Sequence, residues 1–98
     1  MFEIIQSDEF KAWRDGLRDG VARARIAARL RLAGLGNLGD CKPVRDGVSE
    51  MRIDVGPGYS LYFTRRGSAV VVLLCGGDKR RQDADIARAI ELARRWKE

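Results

Sequence analysis

Histidine is missing from the sequence, and only two cysteines, Cys41 and Cys75, occur in it. Without histidine the two thiols cannot be completed into a zinc site, and their separation is not that of metal ligands. They are expected as reduced core residues, the usual place of a free cysteine. Also absent are a phosphate-binding G-x-x-x-x-G-K loop, a G-x-S-x-G nucleophile elbow and a carboxylate cluster with metal-binding pattern. These gaps argue against nucleotide-dependent and metal-dependent catalysis, so no cofactor and no metal is expected. The longest apolar run, Ala69–Cys75, falls far below the roughly 20 residues that cross a bilayer. No early stretch joins a basic start, an apolar core and a small-residue cleavage site. A soluble, cytoplasmic protein with no membrane partner is expected.

With 98 residues and 45% hydrophobic content, the chain is sized for one domain, 1–98, around a single core. The net charge of +5 favours an anionic partner, either nucleic acid or an acidic protein. Fifteen of the nineteen cations are arginine, and an arginine-rich background composition would give the same excess with no function attached.

The chain carries no linker, repeat or low-complexity tract, only closely spaced turn signals. Phe2–Gln6 reads as a first strand. Ser7 offers an N-cap, with Asp8 and Glu9 in the turn where the helix dipole favours anions. A short helix to about Asp15 places Phe10 and Trp13 on one face. A second helix from about Val21 to Leu35 carries Ala22, Ile26, Leu30 and Ala33 at three- to four-residue spacing, with Arg23, Arg25, Arg29 and Arg31 over the remainder. After Gly39 the period changes to two. Cys41–Arg45 is a short edge strand, since Pro43 lacks a ladder donor. Asp46-Gly47 is a hairpin turn signal. Val48–Val55 alternates, with Met51, Ile53 and Val55 on one face and Glu50, Arg52 and Asp54 on the other. Tyr59, Leu61 and Phe63 return on one face. Val70–Leu74 reads as a central strand closed by Gly76 and Gly77, and Gln82–Lys97 as a last helix with Ile86, Ala89, Ile90, Ala93 and Trp96 inward. The fold class is α+β, in the order β-α-α-β-β-β-β-α, with an antiparallel sheet on which the two N-terminal helices and a C-terminal helix pack.

Chemistry concentrates on the polar sheet face and on the loop "GGDKRRQDAD" at 76–85. Glycines there let backbone approach a ligand, and Lys79, Arg80 and Arg81 follow with three cations. Metal-free cleavage of RNA needs a base for the 2′-hydroxyl, an acid for the departing 5′-oxygen and positive charge on the phosphate. Without histidine, the acid and base come from Lys79, Glu50, Asp54, Tyr59 or Tyr62, with Arg52 and Arg80 as phosphate clamps. The same residues also fit an ordinary solvated sheet face followed by a solvated start of a helix.

The strand pair "SEMRIDVGPGYSLYF", the strand "VVVLLCGGDK" and the helix "QDADIARAIELA" resemble the RelE/ParE superfamily of type II toxin–antitoxin toxins, in its HigB-like addiction-module-killer branch. The resemblance covers nearly the whole chain and implies a RelE-like fold. It also implies a small basic toxin that cleaves mRNA on the ribosome and is neutralised by a cognate antitoxin, a HigA-like helix-turn-helix protein. Operator DNA would be met only through the antitoxin complex. A minority of the superfamily inhibits DNA gyrase instead, and a catalytically weak member would serve mainly as antitoxin-bound co-repressor. Carried onto this sequence, the resemblance points to Arg52 and Lys79 as the functional cations; joined to the reading of residue types, the expected catalytic set is Arg52, Lys79 and Glu50, with Arg45, Arg65, Arg80, Arg81, Tyr59 and Tyr62 as RNA contacts and Thr64 a neighbour. Two departures stand out: Ser60 occupies the place where the family usually has arginine after the tyrosine of "GYR", and the last helix holds neither tyrosine nor histidine.

Overall fold

A computed structural model of the protein describes residues 1–96, so Lys97, placed by the sequence in the last helix, lies outside the described residues. The elements are β1 (Glu3–Gln6), α1 (Asp8–Gly16), α2 (Gly20–Gly34), β2 (Cys41–Arg45), β3 (Val48–Ile53), β4 (Tyr59–Arg66), β5 (Val70–Asp78) and α3 (Gln82–Arg95), with a one-turn 3-10 helix at Lys79–Arg81 before α3. The expected order is met, with one correction to the sheet. It is a five-stranded mixed sheet in the order β1-β5-β4-β3-β2, and β1 runs parallel to β5. The two helices after β1 carry the chain across to the far edge, from which the β2–β5 meander returns antiparallel and ends beside β1.

Local chemistry accounts for the breaks. Ser7 Oγ accepts from the Phe10 amide at 2.9 Å, capping α1, and donates to the Leu74 carbonyl at 2.7 Å, pinning the helix to the sheet. Asp19 caps α2 through the Ala22 amide. Asp46 and Gly47 both have positive φ, 53° and 80°, the requirement of a type I′ hairpin turn.

The sheet is covered on both faces. Phe10, Ile26 and Ala33 of α1 and α2 pack with Met51, Ile53, Leu61, Phe63, Val71 and Leu73 on one side. Ile86, Ala89, Ile90 and Ala93 of α3 pack with Val48, Tyr62, Val72, Leu74 and Cys75 on the other. That second side is the face expected to be open and polar, and α3 closes much of it. β5 also runs past its expected end. Leu74 is an extra residue between the pairs Phe63–Leu73 and Tyr62–Cys75, so Leu74 and Cys75 both turn toward α3.

Gly76 and Gly77 therefore lie inside a strand, and they serve packing instead of ligand approach. A Cβ on Gly76 would sit 2.5 Å from the Trp13 ring, and one on Gly77 would sit 1.9 Å from Asp85 Oδ2. One glycine seats the indole from below, the other the carboxylate from above. Cys75 is buried and Cys41 half-buried, and both are free thiols.

Candidate functional site

Two cross-strand rows set the polar chemistry of the α3-covered face. In one, Lys42, Glu50, Tyr62 and Cys75 are register partners across β2, β3, β4 and β5. In the next, nearer the end of the sheet, Arg52 faces Ser60, which faces Gly77. The first row runs under α3, while the second emerges beside its first turn.

A cleft of about 240 Å³ opens there, lined by Asp40, Arg52, Ile53, Asp54, Gly58, Tyr59, Ser60, Lys79 and Gln82. It brings together Arg52 and Lys79, which are 27 positions apart in the chain. Arg52 is held from the side by Asp40, Nη2 to Oδ1 3.2 Å, and this hydrogen bond raises the guanidinium pKa further above its ordinary value. Its backbone is fixed as well: the Arg52 amide donates to the Asp40 carbonyl at 2.9 Å. Arg29 of α2 donates to the Arg52 carbonyl at 2.5 Å and to the carbonyls of Leu38 and Asp40 at 3.1 and 3.3 Å. One member of the arginine face of α2 is thus a clamp on the cleft wall.

Lys79 reaches the cleft over Gly58, where a Cβ would lie 2.7 Å from Lys79 Cε and where φ is +83°. Both the turn and the lysine stem require glycine at that position. Lys79 makes no ion pair among the described residues, so its ammonium is the uncommitted cation of the cleft. Tyr59 forms part of the floor and meets Trp13 edge-on with ring centroids 6.2 Å apart.

The other expected residues divide sharply. Glu50 is only 5% exposed and does not line the cleft. Its Oε2 accepts from Ser60 Oγ at 3.0 Å, and Oε1 lies 3.7 Å from Lys42 Nζ. It stands behind the wall because the α3-facing row buries it. Tyr62 is fully buried beneath α3, its hydroxyl has no hydrogen-bond partner, and burial pushes its pKa up to about 12. It is a core residue and not an RNA contact. Thr64 spends its hydroxyl on the Gly47 carbonyl at 3.0 Å.

Arg45 sits at the far end of edge strand β2, about 13 Å along the strand from Cys41 at the usual strand rise. Arg65 lies on the α1/α2 side of β4 with its guanidinium 4.9 Å above the Phe2 ring. Neither reaches the cleft. Arg80 is drawn back onto Asp78, Nη2 to Oδ2 2.8 Å, which lowers the Asp78 pKa. Arg81 lines a separate cleft with Glu9, Ala12, Trp13, Cys75, Gly76, Ala84, Asp85 and Arg88. Within it, burial raises the Asp85 pKa although Arg81 opposes the shift, and burial pushes the Cys75 thiol to about 12.

Sequence pattern missed Asp40, Gln82 and Ser60 as members of the site. Asp40 enters through pairing of the β2 edge, Gln82 through the first turn of α3, and neither carries a local signal for that placement. Ser60 did carry one: it stands directly opposite Arg52 once the GPG turn sets the hairpin register.

The fold and the site define a small α+β protein with a cation-lined cleft at one end of a mixed sheet. No family model matches the chain. It is 46% identical over 84 residues to an uncharacterized protein of Haemophilus influenzae, an alignment that covers 86% of this chain and 85% of that one. The chain belongs to one family with that protein. No described helix is long and apolar enough to cross a membrane.

Proposed function

We propose that the protein is a RelE/ParE-superfamily toxin of the HigB-like branch, a metal-independent endoribonuclease that cuts mRNA on the ribosome and is silenced by a cognate antitoxin. The observation that carries this reading is the convergence of Arg52 and Lys79 on one cleft. The element order β-α-α-β-β-β-β-α supports the RelE-like assignment. In this reading Lys79 meets a non-bridging phosphate oxygen, and Arg52 exchanges its Asp40 partner for the phosphate, whose negative charge grows in the transition state. Tyr59 offers the ring against which an adjacent base rests.

The antitoxin, a HigA-like helix-turn-helix protein, is the expected partner, and operator DNA is met through that complex. Helix α2 and its C-cap leave Val21, Leu32 and Leu35 exposed among Arg25 and Arg31, a surface that suits an apolar segment bearing carboxylates. The cytoplasm is where such a toxin finds ribosomes.

The test is brief induction in a bacterium with mapping of RNA 5′ ends on a translated message and on an untranslated control. Cuts confined to the translated message are expected, and Arg52→Ala with Lys79→Ala should remove both cuts and growth arrest from a folded protein. A folded, fully toxic double variant sinks the assignment of the cleft. Growth arrest with intact mRNA would favour gyrase inhibition, and neither effect would leave an antitoxin-bound co-repressor.

A further inference from the structure

Ser60 is the departure that the RelE-like pattern leaves without a role, and the cleft supplies one. Its side chain is 3% exposed, lies opposite Arg52 in the β3–β4 ladder, and forms part of the cleft lining. A serine hydroxyl has one proton to give and two lone pairs to receive with. Here the proton is committed: Oγ donates to Glu50 Oε2 at 3.0 Å. What Ser60 presents to the cleft is therefore acceptor capacity alone. Behind it, Glu50 is shut away from solvent, with Lys42 Nζ 3.7 Å from its Oε1. An anion placed between Arg52 and Lys79 that carries a neighbouring hydroxyl can give that hydroxyl's hydrogen bond to Ser60. A ribose 3′-phosphodiester, with its 2′-hydroxyl, has that arrangement, and a deoxyribose one does not.

We infer that Ser60 is a catalytic residue of this cleft, accepting the 2′-hydroxyl proton and passing its own proton to Glu50. The inference rests on the nuclease reading above. The step balances as follows. The 2′-hydroxyl proton moves to Ser60 Oγ as the Ser60 proton moves to Glu50 Oε2. The 2′-oxygen forms its bond to phosphorus, the bond from phosphorus to the 5′-oxygen breaks, and the 5′-oxygen takes a proton from the Lys79 ammonium. A 2′,3′-cyclic phosphate and a 5′-hydroxyl result; once they leave, the proton on Glu50 passes back to Ser60 as Ser60 gives one to solvent in the cleft, and solvent reprotonates Lys79. Glu50 never touches substrate; it works through Ser60. The buried carboxylate behind the wall and the serine in the arginine's place are thus two parts of one device.

Single-turnover cleavage of a ribosome-bound message, followed over a range of toxin concentrations so that rate and binding separate, tests it with wild type, Ser60→Ala, Glu50→Gln and Asp54→Asn, each checked for an unchanged thermal unfolding profile. Ser60→Ala is expected to slow cleavage by about 100-fold or more. Glu50→Gln keeps the hydrogen bond from Ser60 but leaves no carboxylate to take its proton, so it should slow cleavage similarly while leaving binding of the message unchanged. If burial of Glu50 prevents Ser60→Ala from folding, the Glu50→Gln cleavage rate alone decides. The inference is overturned if Ser60→Ala or Glu50→Gln cleaves within about threefold of wild type, or if Asp54→Asn is the variant that abolishes cleavage. A wild-type protein that leaves the message uncut overturns the nuclease reading itself, and the inference with it, an outcome distinct from active wild type with indifferent variants.

Discussion

The Tyr62 hydroxyl is buried under α3 without a partner, a costly position for a polar group. Replacing it by phenylalanine removes the group and keeps the ring, so Tyr62→Phe should leave stability at pH 7 unchanged or raise it by about 1 kcal/mol. Chemical denaturation of the two proteins checks this. The alkaline behaviour follows from the same burial. Tyr62 and Cys75 ionise in the folded protein only near 12, above the ordinary values of 10.0 and 9.0. Their stabilising effect is complete below the ordinary values and is lost as the pH rises through the folded ones, because the unfolded chain gives up these protons first. Unfolding free energy should fall between about pH 9 and 12, and Tyr62→Phe should remove about 2 kcal/mol of that fall. A denaturation series across this pH range with an unchanged slope in the variant would contradict the buried placement.

Among the elements, β5 carries the tightest constraints, since two adjacent glycines seat groups from opposite layers. Gly76→Ala meets the rigid Trp13 ring and should cost about 2–3 kcal/mol. Gly77→Ala meets a single carboxylate, which points to a coupling test: Asp85→Ala should recover most of the loss, giving an interaction energy of about 1–2 kcal/mol in a double-mutant cycle. Additive effects would mean that Asp85 does not rest on Gly77. Helix α2 contributes through Arg29, which holds the carbonyls of Leu38, Asp40 and Arg52. Arg29→Ala leaves those acceptors to water and releases one wall of the cleft. It should cost about 1–3 kcal/mol and weaken phosphate binding without removing any cleft-lining residue. Hydrogen exchange of the Arg52 amide, bonded to the Asp40 carbonyl, is the local measurement, and it should quicken.

At the scale of the whole molecule the +5 charge is spread widely, yet most arginines near the cleft are occupied. Arg80 folds onto Asp78 and Arg29 onto three carbonyls, while away from the cleft Arg88 ties α3 to α1 through Glu9 at 2.6 Å, which lowers the Glu9 pKa. In the cleft itself Arg52 is paired with Asp40, and Lys79 makes no ion pair among the described residues. For RNA held at Arg52 and Lys79, the slope of log affinity against log salt should fall by about 0.7 for each of the two residues replaced by alanine. Replacing Arg45 or Arg65 should change it far less, because the register of β2 and the packing of Arg65 on Phe2 keep both away from the cleft.

Much of the fold was legible in the chain because its signals are local. The Ser7 cap, the Asp46-Gly47 turn and the inward spacing of α3 each depend on residues a few positions apart, and each appears in place, while the alternating strand expected over Val48–Val55 ends at Ile53. The pairing of Arg52 with Lys79 was legible through residue type and family resemblance. What the tertiary structure decided are the facts that depend on which layers meet. Alternation sorts Glu50, Arg52 and Tyr62 onto one sheet face, but it does not say that α3 covers that face as far as Glu50 and stops short of Arg52. It does not say that β1 lies parallel beside β5, nor that Gly76 and Gly77 bear side chains from two other elements. Burial is a property of two surfaces in contact, and a single segment of sequence describes only one of them.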